Sequence, residues 1–182
     1  MLSRVAERCY WLARYLERAE NSARLTRVYS NLLLDLPAST QLGWEVVLDI
    51  AGIGPPDAGA DDKAMLTSLL SDRNNPSALL SSLAMARENA RTTRDVLPTE
   101  AWRSMNELYL FARERLPKAS QARQRNAVLS ELVEQAQCIT GLLAAWYRLA
   151  RDHRRIDVAL ALEDRPVHRN FLAWPNAKPI PD

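Results

Sequence analysis

Glycine is scarce in this chain: five residues among 182, three of them inside the single segment Gly52 to Asp62, GIGPPDAGADD. With two adjacent prolines, that segment reads as a surface loop joining two ordered stretches. Its GIG has no preceding strand, no full glycine pattern and no nucleotide-loop lysine, which excludes a phosphate-cradling loop. Histidine is scarcer still, limited to His153 and His168 in an irregular C-terminal stretch. No Ser/His/Asp or Cys/His arrangement can be assembled from them, and no catalytic residue is assigned. No glutamate has a histidine three residues later, so the Glu-x-x-His ligand pairs of a dimetal bundle are missing. Neither a metal nor another cofactor is expected.

Charge of one sign is also lacking. The 24 basic residues interleave with 22 acidic ones to a net charge of +2, without the electrostatic footprint that nucleic acid or an anionic membrane surface demands. The basic residues are almost all arginine, with lysine only at Lys63, Lys118 and Lys178. The two cysteines, Cys9 and Cys138, fall on expected apolar helix faces without metal-type spacing. They read as reduced, buried thiols, in keeping with a cytoplasmic location. No apolar run approaches the roughly 20 residues of a membrane span, and the first helix is too charged for a signal peptide.

What the chain has in quantity is helical periodicity. Leu2, Val5, Cys9, Leu12, Leu16, Ala19 and Ala23 recur at steps of three and four, which places them along one side of a helix reaching about Leu34 before Pro37. A short helix is expected over 41–51, with Trp44 as core anchor and Gly52 ending it, and another over Asp62 to Ser71. Asn75 as N-cap and Pro76 at the first helical position predict a long helix that runs to Leu97 and stops at Pro98. Thr99 is then expected to cap a helix ending at Leu116, and Arg123 to Ala150 carries the seam Leu129, Leu132, Ala136, Ile139, Leu143, Trp146 and Ala150. The expected fold is all-α: a helical bundle of four long helices plus two short ones over residues 1–150, followed by an irregular tail over 151–182.

Polar residues form rows of their own. In the first helix Arg14, Glu17, Asn21 and Arg24 keep a three-four rhythm away from the apolar seam, with Glu20 at the favourable spacing before Arg24. Arg87, Arg91 and Arg94 make a second row, next to Asn89. The residues leave three readings open. The rows form solvated pairs within each helix; or they are partly buried against each other as an inter-helix network that sets helix register; or surplus arginines hold a carboxylate or phosphate, with Glu17 as acid–base or anchor. Trp11 and Tyr15 either wall such a site or pack into a neighbouring core.

The opening MLSRVAERCYWLARYLERAENSARL and the later NNPSALLSSLAMARENARTTRDVLPTEAWRSMNELYL closely resemble the alpha-E domain, a bacterial all-helical family named for its Glu-Arg motif. The matching positions are Arg14, Glu17, Arg18, Glu20 and Arg24 in the first stretch and Asn75, Pro76, Arg87, Glu88, Asn89, Arg91, Arg94 and Asp95 in the second. The resemblance spans roughly residues 1 to 145 and assigns no catalytic role to any of them. It implies partners: alpha-E proteins are encoded beside, or fused to, ATP-grasp-type and transglutaminase-like proteins proposed to act in peptide synthesis or modification. The second half of such proteins carries a near repeat of the first helix, of the form GW-x-F-x-x-LGR-x-LERAD, and nothing after Leu143 matches it here. The expectation is a member truncated or changed in frame after about residue 145, with an exposed bundle face and self-association as the consequence. The function expected is that of a non-catalytic helical partner or scaffold; an anion-binding or enzymatic Glu/Arg site and a purely structural role are the alternatives.

Overall fold

The first helix, α1 (Leu2–Asp35), runs 34 residues, about 51 Å at 1.5 Å per residue, and every other element packs around part of it or its neighbours. The chain continues through α2 (Glu45–Ala51), α3 (Asp62–Leu70), α4 (Leu79–Thr92), α5 (Thr99–Arg115), a 3-10 turn (Leu116–Lys118) and α6 (Ala122–Asp152). This computed structural model describes residues 2–37, 42–54, 59–119 and 121–152, and among them there is no strand. The expected tail beyond residue 152, with both histidines, lies outside the described residues, as do 55–58 of the glycine-rich loop.

The long helices form an up-down-up-down square. Arg27 donates to Ser130 (3.0 Å) and Asn126 to Asn31 (2.6 Å), so rising numbers on α1 meet falling numbers on α6 and the two are antiparallel. The α2 and α3 pair sits at the C-terminal end of α1, where the Tyr29 and Trp44 rings meet edge to face at 5.3 Å. From there α4 runs back toward the start of α1, α5 returns beside it, and α5 packs on α6 to close the square. The shared core takes Leu12, Leu16, Ala19 and Ala23 from α1 and Leu79, Leu83, Ala86 and Ala90 from α4. Met105, Leu108 and Ala112 of α5 and Leu129, Leu132, Ala136, Ile139 and Leu143 of α6 complete it. Burial of each large aliphatic side chain contributes about 1.5–3 kcal/mol, so the seam read from the three-four spacing is what drives assembly.

Several boundaries differ from the sequence expectation, each for a local reason. Asn75 does not cap α4. Its Oδ1 accepts from the Ser77 N–H (2.9 Å), its carbonyl from the Ala78 N–H, and its Nδ2 donates to the Ser68 carbonyl (3.0 Å). Asn75 and Pro76 thereby build a turn tied back to α3, and the helix starts at Leu79. Its end comes at Thr92, five residues before the expected Leu97. The Thr92 and Thr93 hydroxyls bond to carbonyls of the preceding turn, a competition that disfavours continuing the helix. Thr99 is the first residue of α5 and makes no capping bond; Pro98 occupies the cap in an extended conformation. The second helix starts at Glu45, and just before it the Gly43 carbonyl accepts from the Tyr29 hydroxyl at 2.6 Å. Gly52 does end it, in the left-handed conformation (φ 68°) that favours glycine. On α6 the deepest aromatic is Tyr147 and not Trp146, which is half-buried. Cys138, expected to be buried, is exposed.

Candidate functional site

Both Glu-Arg stretches lie on helices whose apolar seams face the core, and this places their polar rows. On α1 the buried side is centred on Leu12, Leu16, Ala19 and Ala23, and a helical wheel puts Arg14, Glu17, Arg18 and Asn21 on the opposite side. Arg14, Arg18 and Asn21 are exposed, and Glu17 is about one-third exposed and accepts from the Arg14 guanidinium at 3.2 Å. Exposed apolar residues share this outer side: Trp11, Val28 and Leu32. Trp11 is tilted against the partly buried Tyr15 ring (5.5 Å) and edge-on to Tyr10 (5.1 Å), so Tyr15 packs toward the core and Trp11 does not.

Glu20 is different. Its spacing, four after Leu16 and three before Ala23, inserts it into the seam, and it is only 2 % exposed. One carboxylate oxygen accepts from both Nε (3.1 Å) and Nη2 (2.6 Å) of Arg24, and this partner lets a buried charge be tolerated.

On α4 the second row divides. Arg91 donates to both oxygens of Glu88 (2.9 and 2.6 Å), which holds the Glu88 carboxyl below its usual range and raises the arginine. The charges of Arg87 and Arg8 add to the effect on Glu88, which brings the end of α4 to the level of the start of α1. Asn89 is turned onto its own helix, donating to the Met85 carbonyl, and Arg94 and Asp95 are exposed with a loose contact of 3.8 Å. Arg87 alone leaves its helix. Its Nε donates to Asn106 Oδ1 at 2.7 Å, and its guanidinium lies 5.7 Å from the Trp102 ring and 5.3 Å from the Tyr109 ring on α5.

The two rows therefore do not meet in an inter-helix ionic network. Among the described residues each ion pair joins side chains no more than four positions apart, and Arg87 is directed at α5, not α1. A shallow depression lined by Asp61, Lys63, Thr67 and Asp72 on and after α3 contains no residue of either row. Among the described residues no three His, Cys, Asp or Glu side chains are grouped as metal ligands, and no helix is long and apolar enough to cross a membrane.

Other polar contacts between helices come from residues that the row pattern did not flag. Arg125 of α6 is buried, lies 5.3 Å over the Trp44 ring and donates to Ser30 Oγ at 3.2 Å. Desolvation holds its guanidinium below the usual arginine value, opposed by the charge of Asp62. A signal for it was present: one step of four back from Leu129, the α6 seam lands on Arg125. On α5, Trp102 and Tyr109 lie on the core face that their three-four spacing with Met105, Ala112 and Leu116 predicts, and Asn106 between them is the polar member that the pattern did not mark.

No curated protein and no solved structure matches the chain. The all-helical arrangement agrees with one family model, which matches residues 1–153. The chain belongs to the Alpha-E family, a predicted alpha-helical domain with a conserved ER motif.

Proposed function

We propose that this Alpha-E chain is a non-catalytic helical partner of an ATP-grasp-type and transglutaminase-like peptide synthesis or modification system, and that it docks through the outer side of α1. One observation carries the reading: Glu17 and Arg18 point away from the core and share their surface with exposed Trp11, Val28 and Leu32. A motif needed only for folding would be expected in the seam, and a catalytic carboxylate in a concave, water-poor site. A mixed apolar and charged helix face left exposed among the described residues is what an interface with a polar rim presents. The partner named is the one the family resemblance implies.

The test is co-purification of the tagged chain with an ATP-grasp-type protein encoded beside an alpha-E gene. The wild type is expected to retain the partner, and a Glu17→Arg, Val28→Glu double variant of unchanged helicity is expected to lose it. Retention of the partner by the double variant, or indifference of the partner's activity to the Alpha-E chain, would overturn the proposal.

A further inference from the structure

Away from the α1 surface, three arginines surround one ring. Tyr109 of α5 has the Arg87 guanidinium 5.3 Å and the Arg113 guanidinium 5.8 Å from its centroid, and Arg73, from the turn before α4, donates to its hydroxyl at 3.3 Å. Arg73 and Arg113 are exposed and Arg87 is half-buried, so all three are within reach of solvent.

Among the described residues none of the three is hydrogen-bonded or ion-paired to a carboxylate, and Glu88, which feels the charge of Arg87, is already bonded through both oxygens to Arg91. The acidic residues of α4 and α5 nearest in sequence are engaged elsewhere: Glu88 by Arg91, Glu107 by Arg103 and Glu114 by Lys118. Arg87 spends only its Nε, on Asn106; Arg73 spends one N–H on the Tyr109 hydroxyl; Arg113 has only the ring. Three like charges around one aromatic side chain repel each other, and each guanidinium keeps most of its five donors unused. The neutral groups that do touch them restrict where they sit: Arg87 lies over the Tyr109 and Trp102 rings with its Nε bonded to Asn106, and Arg113 lies over Tyr109. A cluster of guanidiniums held by neutral groups, and bonded to no carboxylate among the described residues, is the chemistry that recognises an oxyanion.

We propose that the Arg73, Arg87, Arg113 and Tyr109 cluster binds a phosphoryl group at the hydroxyl edge of the Tyr109 ring. A phosphate near neutral pH carries close to two negative charges and three strong acceptor oxygens, a better match to three guanidiniums than a single carboxylate. This site uses Arg87 without Glu17 and is independent of the α1 docking surface.

The full chain is titrated calorimetrically at low salt with inorganic phosphate, phenyl phosphate and acetate. Saturable binding of phosphate is expected, weakened about tenfold or more in the Arg73→Ala, Arg113→Ala double variant, whose changes are at exposed side chains. Arg113→Lys is expected to recover part of the loss, and Arg103→Ala, in an exposed pair outside the cluster, to change nothing. Tighter binding of phenyl phosphate than of inorganic phosphate would assign the group to an organic ester resting on Trp102; equal binding would assign free phosphate. Equal affinity in the double variant, acetate binding as tightly as phosphate, or no saturable heat with either phosphate would overturn the proposal.

Discussion

The C-terminal part of α1 and its middle carry polar residues of opposite character. Toward its C-terminus, Arg27, Tyr29, Ser30 and Asn31 reach across to α6 and α2, in contacts that join residues up to 103 positions apart. In its middle, Arg14 and Glu17 bond only to each other, one turn apart and half in water. The first set fixes which helices are neighbours and at what height. An exposed pair like the second contributes about 0.2–1 kcal/mol at most and specifies nothing about packing. The docking proposal rests on this contrast: Arg14 and Glu17 sit on the surface and contribute little to packing.

The contrast makes graded predictions. The largest effect is expected at the clasp, where Trp44 is 3 % exposed and touches both Tyr29 and Arg125. Trp44→Ala should cost about 3–5 kcal/mol in urea unfolding followed by circular dichroism. A loss below about 1 kcal/mol would mean that the α2 end is not part of the cooperative unit.

Next is a pH effect on α1 itself. Cys9 is partly buried against the core, and burial pushes its thiol from 9.0 up to about 11. The unfolded chain therefore loses this proton at lower pH than the folded one, so stability falls as pH rises from about 9 to about 11, by roughly 2–3 kcal/mol. Comparison of unfolding at pH 8 and 10.5 in wild type and Cys9→Ala checks it, with the variant expected to show a shallower alkaline slope, the remainder including the Tyr29 phenol, which burial also raises. The exposed Cys138 should take up a maleimide in the native protein well before Cys9 does.

A smaller effect separates neighbours in the motif. Arg24→Ala leaves the buried Glu20 carboxylate without its two hydrogen bonds and should cost about 1–3 kcal/mol. Arg14→Ala removes only the exposed Glu17 pair and should stay within about 0.5 kcal/mol. Equal costs at the two positions would contradict the assignment of Glu20 to the seam and Glu17 to the surface.

Much of the fold was legible because helical periodicity is a local property. Leu12, Leu16, Ala19 and Ala23 are buried where a three-four rhythm places them, and Leu129 to Leu143 likewise. The ends of α4 were misread because capping residues have more than one use. Asn75 can cap a helix or build a turn, and the choice was made by the Ser68 carbonyl, which the sequence does not show to be nearby. The polar rows were legible as rows, but their partners were not. Arg87 and Arg91 look alike in sequence; one stacks between α5 rings while the other folds onto Glu88.

The sequence alone settles the all-helical class, the seams that assemble it and the Glu-Arg motif, because each depends on residues three or four positions apart on one helix. Which arginine is buried, which is displayed and which three gather around Tyr109 depends on helices brought together from distant parts of the chain. Guanidinium is long enough to reach several neighbours, so only the tertiary structure decides which one it meets.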